Sequence, residues 1–355
     1  MKKIVMTGGG TAGHVTPNIA LFDSLKAHDY NIYYIGSRNG IEKTLVQNCN
    51  IPYYGIDSGK MRRYFDIKNF TDIFRVIKGF GQALTLLKKI NPDIVFSKGG
   101  FVTAPVVLAA KTLNIPVVLH ESDITPGLAN RINIPFSKAV CTSFPETKDH
   151  IKSKNVYLTG TPIRESLYGG NPAIGMSMCN FSMNKPVLLV MGGSLGSVKI
   201  NTLLRESLND LLKSYNIVHL CGKNNIDPEL TRKEGYAQFE YINEEFPHIF
   251  AMANIVISRA GANSIYELLA LKKPNILIPL TRAQSRGDQI LNAESFLKQG
   301  FSKVLYEENI TAESFRLEII DLYSNREKYI ETMDSSRLSD GVSEVTKVIL
   351  RYTKS

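Results

Sequence analysis

The chain has 355 residues, 43% of them hydrophobic and 21% charged, with a formal net charge of +9 at pH 7. That length favours two domains over a single core, and the ordinary balance of apolar and charged residues excludes a disordered or low-complexity chain. Cys49, Cys141, Cys179 and Cys221 stand far apart with no Cys-x-x-Cys pair, which argues against a zinc site or a disulfide scaffold and fits a reducing compartment.

Two lysines at the N-terminus are followed by only three apolar residues before a polar residue and glycine arrive, so no secretory signal core is expected. No apolar run reaches the roughly 18–20 residues of a membrane span. The longest, Val102 to Leu119, is interrupted by Pro105, Lys111, Asn114 and Pro116. In chain order, Ile4–Met6, Ile32–Ile35, Ile94–Phe96, Val117–Leu119, Ala139–Cys141, Val187–Met191, Ile217–Leu220, Ile255–Ile257 and Asn275–Ile278 are short apolar runs without polar alternation. Parallel strands buried on both faces read this way, and the helical-period segments between them predict an α/β chain with right-handed crossovers. A seam is expected after Thr159-Gly160-Thr161-Pro162, with Tyr168 to Lys185 as irregular linker. The expected domains are 1–163 and 164–340, with a C-terminal helix over 341–355, carrying Val342, Val345, Val348 and Ile349, packing back on the first.

Two strands run into glycine-rich turns that open helices. One turn is Gly8-Gly9-Gly10-Thr11-Ala12-Gly13-His14; the other is Gly192-Gly193-Ser194-Leu195-Gly196-Ser197. Unpaired N–H groups and the positive end of a helix suit an anion at such a turn, and the +9 surplus fits an anionic partner or simply a basic protein. Gly8-x-Gly10-x-x-Gly13 matches the dinucleotide fingerprint, but the next strand ends Ile35-Gly36-Ser37-Arg38 without the ribose-binding acid. Only a 2′-phosphate reading through Arg38 stays open. A third turn, Lys98-Gly99-Gly100-Phe101-Val102-Thr103, follows Ile94–Phe96. Glycines also serve plain βα turns, but three of them at strand ends line the edge where open α/β sheets bind ligands.

His14 sits just past the first turn, near a helix start whose dipole disfavours imidazolium. It is either a neutral general base or a packing histidine. Glu267, in Ser258-Arg259-Ala260-Gly261-Ala262-Asn263-Ser264-Ile265-Tyr266-Glu267, either accepts from a ribose diol or completes a Ser264-x-x-Glu267 capping box. Arg282, Arg286, Asp288, Gln289 and Asn292 form a polar cluster downstream. The chain has no Asp-x-Asp. A diphosphate would then be held by backbone N–H groups, helix dipoles and cations such as Arg164 rather than through a metal ion.

Taken together and in this order, the motifs Gly9 to Pro17, Gly99 to Pro105, His120-Glu121-Ser122-Asp123, Gly160 to Arg164, Gly192 to Gly196, Arg259 to Glu267 and Gly287 to Ala293 resemble glycosyltransferase family 28 along essentially the whole chain. In particular they resemble its bacterial peptidoglycan enzymes, which add N-acetylglucosamine to a lipid-linked muramyl-pentapeptide precursor. The resemblance implies a GT-B fold: two Rossmann-like domains with parallel sheets facing an interdomain cleft. It implies inverting, metal-independent transfer from UDP-N-acetylglucosamine (UDP-GlcNAc), a substrate rather than a cofactor, to the C4 hydroxyl of undecaprenyl-pyrophosphoryl-MurNAc-pentapeptide. His14 is then the base. Ser194 and Arg164 contact the diphosphate, Glu267 the ribose, Gln289 the sugar and Ile242 the uracil. Thr11, Ala12, Gly13, Asp123, Ala262, Asn263, Ser264, Ile265, Tyr266 and Asp288 complete the donor side, and Gly10, Gly99, Gly100 and Thr103 the acceptor side. Two departures stand out: many relatives carry asparagine at the position of Asp123 and glutamine at that of Asp288. A carboxylate cannot donate as an amide does, and Asp123 becomes a second candidate base.

An undecaprenyl acceptor implies contact with an anionic membrane surface, at the cytoplasmic face, and no role for nucleic acid. Lys60 to Lys89 is the expected segment: Met61, Arg62, Arg63, Tyr64 and Phe65, then Phe70, Ile73, Phe74, Ile77, Phe80, Leu84 and Leu87 at helical spacing among basic residues. Part of that stripe is expected to be core.

Overall fold

The unbroken apolar runs become the inner strands of two parallel sheets in the computed structural model of the protein. The structure describes residues 1–59, 68–182, 184–193, 196–285 and 287–354, with side chains in the helix that opens at Lys68 described from Phe74 onward. The first sheet contains β1 (Lys2–Thr7), β2 (Tyr30–Ser37), β3 (Tyr53–Ile56), β4 (Ile94–Ser97), β5 (Val117–Glu121), β6 (Ala139–Thr142) and β7 (Val156–Leu158), in the order β3-β2-β1-β4-β5-β6-β7. The second contains β8 (Val187–Met191), β9 (Asn216–Leu220), β10 (Tyr236–Phe239), β11 (Ile255–Ser258), β12 (Asn275–Leu277) and β13 (Lys303–Val304), in the order β10-β9-β8-β11-β12-β13. Each is a Rossmann-type order that reverses direction between its first and fourth strands, the switch point at which such sheets bind ligands.

The helices are α1 (Thr16–Ala20), α2 (Phe22–Ala27), α3 (Ile41–Gln47), α4 (Lys68–Ile90), α5 (Thr103–Thr112), α6 (Leu128–Asn133) and α7 (Pro172–Met178), then α8 (Val198–Leu211), α9 (Phe246–Met252), α10 (Ala262–Ala270), α11 (Asp288–Lys298), α12 (Ala312–Ser324), α13 (Arg326–Asp334) and α14 (Gly341–Tyr352). Two compact units result: Met1–Arg164 with Asp340–Ser355, and Glu165–Ser339. Segment 168–185, read from sequence as irregular linker, contains a helix. Asn171 caps α7 by accepting from the Ala173 N–H at 2.9 Å, and Pro172 supplies a first-turn residue needing no donor. It packs so closely on α9 that a Cβ at Gly175 would lie 2.5 Å from the His248 carbonyl oxygen.

Side chains of β1 alternate between two buried faces. Ile4 and Met6 join one cluster, and Val5 joins the other with Ala83, Leu87 and Val106 of α4 and α5. Val345, Val348 and Ile349 of α14 lie in the same cluster as Ile4 and Met6. The helix is also tied down by Ser24–Thr346 and Tyr157–Tyr352 hydroxyl pairs at 3.0 and 2.8 Å. In the second unit, Leu188 and Val190 of β8 pack with Leu204 and Leu208 of α8 and Phe315 and Ile319 of α12. No helix among the described residues is long and apolar enough to cross a membrane.

Ile349 is fully buried, and Ile349→Ala removes a branched side chain from the first core. The expected cost is about 2–5 kcal/mol, read by calorimetry as a lowered Tm.

Candidate active site

In the first unit, β1 and β4 flank the switch point and both end in glycine turns. The Gly9 N–H donates to the Gly99 carbonyl at 3.3 Å, and a Cβ on Gly100 would lie 2.2 Å from the Gly9 oxygen. Gly99 and Gly100 have φ of +101° and +91°, so this approach requires glycine on both counts. Thr103, expected on the acceptor side, is fully buried. Its hydroxyl donates to the Gly100 carbonyl at 2.8 Å and accepts from Asn133 at 2.9 Å, so it builds the turn rather than facing a ligand. Gly10, at φ +88°, has open space where a side chain would project.

The anion expected at the first turn comes from the protein itself. The Glu42 carboxylate, fully buried in the first turn of α3, accepts from the Gly10 N–H at 3.2 Å, the Ser37 N–H at 2.9 Å and the Ser37 hydroxyl. A Cβ on Gly9 would lie 2.4 Å from its oxygen. Arg38, the remaining 2′-phosphate candidate, pairs with Asp57 at 3.1 Å.

His14 closes the turn Ala12–His14, its Nδ1 3.0 Å from the Thr11 hydroxyl. Thr11 and Ala12 are exposed and Gly13 is half-buried. Burial, with the Lys98 charge second, pushes the imidazole down to about 4, against opposing pulls from a Gly9 hydrogen bond and Glu42. These two causes act where the sequence suggested a helix dipole, since α1 has five residues. Lys98, the first residue of the third glycine turn, is 1% exposed and donates to the Ser122 hydroxyl. Glu121 is also buried: its carboxylate accepts from the Asp123 and Gly127 N–H groups, both at 3.0 Å, and from Asn130 at 2.9 Å. It therefore fixes the half-buried Asp123 beyond the end of β5.

In the second unit, β8 leads through Gly192, Gly193 (φ +90°) and Gly196 (φ +76°) to Ser197, whose hydroxyl caps α8 by accepting from the Ile200 N–H at 3.3 Å. Ser194 and Arg286 lie outside the described residues. Arg259, in the turn after β11, is buried. It donates to Ser197 at 2.6 Å, to Glu307 at 2.5 Å and to the Ile278 and Pro279 carbonyls at 3.0 and 3.3 Å, tying three strand ends together.

The Ser264-x-x-Glu267 capping box does not form. The N-cap of α10 is Gly261, which puts Ser264 inside the first turn and Glu267 mid-helix. Ala262, Asn263, Ser264 and Glu267 are half-buried. Ile265 and Tyr266 face the core instead, with the Tyr266 ring edge-on to Phe296 at 5.2 Å, so any ligand contact from them is through backbone. Gln289 accepts from the Leu280 N–H at 3.1 Å beside Asp288 at the start of α11, and Asn292 donates to the Ala260 carbonyl at 3.1 Å. Ile242 is half-buried in the loop after β10, and Arg164 is exposed at the end of the first unit.

Sequence comparison decides the family. The model of the glycosyltransferase family 28 N-terminal domain matches residues 4–142, and that of the family's C-terminal domain matches residues 187–348. The chain belongs to glycosyltransferase family 28. A family 28 relative from Clostridium botulinum, named UDP-N-acetylglucosamine–N-acetylmuramyl-(pentapeptide) pyrophosphoryl-undecaprenol N-acetylglucosamine transferase, is 56% identical over 354 residues, the whole of both chains. Among solved structures, Acinetobacter baumannii MurG matches with a TM-score of 0.76 at 25% identity, covering 99% of this chain and 100% of that one. UDP-GlcNAc 2-epimerase from Neisseria meningitidis, bound to UDP-GlcNAc, matches at 0.70 and 15% identity over 99% of each chain, a likeness of fold alone. The two parallel-sheet units are thus the GT-B architecture of this family 28 chain.

Glu42→Ala would leave the Gly10 and Ser37 donors without their buried acceptor. Thermal unfolding should show a loss of at least about 1–3 kcal/mol.

Proposed function

We propose that the protein transfers N-acetylglucosamine from UDP-GlcNAc to the C4 hydroxyl of the muramyl sugar of undecaprenyl-pyrophosphoryl-MurNAc-pentapeptide, with inversion. The observation that carries this reading is the end-to-end 56% identity to the C. botulinum transferase of that name. The state of His14 supplies the chemistry. Held down to about 4, its imidazole is unprotonated at neutral pH and able to accept a proton. As the C4 oxygen bonds to the anomeric carbon, its proton passes to His14. The bond from the anomeric carbon to the diphosphate breaks with its electron pair leaving on UDP.

The donor falls to the unit 165–339. We assign the diphosphate to the positive end of α8, whose first turn opens at Val198, with Ser194 and Arg164 as its further contacts. Glu267, which does not cap its helix, takes the ribose, while Ile242 takes the uracil and Asp288 with Gln289 the sugar. Ala262, Asn263 and Ser264 present the start of α10. The first unit takes the acceptor along Gly10, Gly99 and Gly100, with Asp123 at the same sheet edge. In the absence of any Asp-x-Asp pair, charge on the leaving diphosphate falls to these donors and to no metal ion.

Acceptor delivery brings in the membrane. On α4, Phe74 and Ile77 are 69% and 61% exposed, with exposed Arg75 and Lys78 beside them, while Ala83, Leu87 and Ile90 face the core. We propose that this exposed half lies on the anionic cytoplasmic face of the membrane. Met61 to Phe65 lie outside the described residues.

His14→Ala should lower kcat by about 10²–10⁴-fold while UDP-GlcNAc binding by calorimetry stays near that of the unaltered protein, and the unaltered enzyme should run at the same rate in EDTA. Near-full transfer by His14→Ala would remove His14 as base. A Phe74→Ser, Ile77→Ser double variant should co-sediment about tenfold more weakly with phosphatidylglycerol vesicles, since each lost apolar side chain forfeits part of its ~1.5–3 kcal/mol of burial.

A further inference from the structure

The edge of the first sheet opposite the glycine turns carries a cavity that takes no part in the chemistry proposed at His14. It measures about 540 Å³ and lies where the chain enters β5 and β6 and where α5 and α14 end. Four cations line it, Lys111, Lys138, Arg351 and Lys354, and no carboxylate does. Among the described residues none of the four forms an ion pair. Two of them answer a need of the fold: Lys111 and Arg351 stand in the last turns of α5 and α14. Each helix end carries roughly half a negative charge, so about three positive charges are left uncompensated. The backbone beneath them is fixed. The Lys138 N–H donates to the Val117 carbonyl at 2.8 Å, its carbonyl accepts from the Asn155 side chain at 2.9 Å, and the Lys354 N–H donates to the Asp93 carbonyl at 3.4 Å. The Arg351 guanidinium lies over the Tyr157 ring, 5.6 Å from its centroid.

We propose that this cavity is a second anion site, taking a soluble compound with two or more phosphate groups. Lysine ammoniums bind phosphate as point charges and arginine adds a planar fork, a set that a single carboxylate would not saturate. The volume lies within the range of small-molecule sites, and the half-buried Phe136 and Tyr352 give the body of the ligand apolar walls. A phospholipid headgroup offers the same phosphate, but two observations favour the free compound. None of the lining residues is among the exposed large apolar side chains that acyl chains would need. The α4 residues proposed for the membrane are also remote along that helix. Helix α4 reaches this edge at Ile90, whose carbonyl accepts from the Lys3 ammonium at 3.0 Å, and Ile77 stands about 20 Å earlier along it. A ligand here ties the end of α14, the helix that completes the first core, to the starts of β5 and β6.

The test uses the full-length protein with inorganic tripolyphosphate as the probe, titrated by calorimetry at physiological ionic strength. UDP is present at saturation to keep the probe out of the donor site. A Lys138→Gln, Lys354→Gln double variant removes charge from the cavity. A Lys298→Gln, Lys328→Gln control removes the same charge from the second unit. All four lysines are exposed, so both variants should keep the Tm of the unaltered protein. The cavity variant should bind tripolyphosphate about tenfold more weakly, and the control should bind as the unaltered protein does. No binding by the unaltered protein, or equal weakening in the two variants, would overturn the proposal. Cardiolipin vesicles, presented in place of tripolyphosphate, should sediment the cavity and control variants alike. Weaker sedimentation of the cavity variant alone would overturn the soluble ligand and reassign these cations to a lipid headgroup.

Discussion

Everything at the working edge of the first sheet depends on how closely two backbone turns approach each other. The Gly9 N–H meets the Gly99 carbonyl while Gly100 lies against the Gly9 oxygen with no room for a Cβ. Backbones this close leave no gap for a side chain at Gly9 or Gly100, so the surrounding side chains are set around the contact. His14 lies just beyond it in the turn Ala12–His14, Lys98 is buried at the end of β4, and Asp123 follows the end of β5. Thr103 and Asn133 brace the second turn, and Glu121 braces the loop that carries Asp123.

The two glycine-rich turns that look alike in sequence are filled differently. In the first unit the N–H groups are satisfied from within by Glu42, so the turn holds its shape with a negative charge already in place. An incoming diphosphate would be repelled there. In the second unit the corresponding region is braced by a cation: Arg259 reaches Ser197, the cap of α8, and Glu307 balances it. A turn closed by an internal acid and a turn braced by a balanced arginine–glutamate pair thus differ in what holds them, although their glycine patterns look alike.

Much of the architecture was legible because the inner strands are covered on both faces and read as unbroken apolar runs. The unexpected strands, β3, β7, β10 and β13, are the outermost strands of their two sheets. Edge strands are covered less, so Tyr53–Ile56, Val156–Leu158 and the two-residue Lys303–Val304 carry no clean periodicity. Helix α7 was hidden by the Gly-Asn-Pro and serine-rich composition around it, although Asn171-Pro172 is a capping pair. The family motifs could be read as a string. The roles of Glu42, Lys98, Glu121 and Arg259 could not, because each is defined by partners 5 to 62 positions away that only the fold brings near. Ser264-x-x-Glu267 misled for a related reason: Gly261 opens the helix earlier, and the pattern lands inside it.

The chain leaves the first unit near Arg164 and returns at Asp340, and α14 is no appendage, since Val345 and Ile349 are fully buried in the core around β1. The second unit is in effect an insertion within the first. On the ribosome, where chains emerge N-terminus first, the segment that begins earliest must wait for α14 before one face of its sheet is fully covered, while the segment made in between has all of its strands in hand sooner. The first unit to be started is thus finished after the second, once Val345, Val348 and Ile349 of α14 have joined Ile4 and Met6.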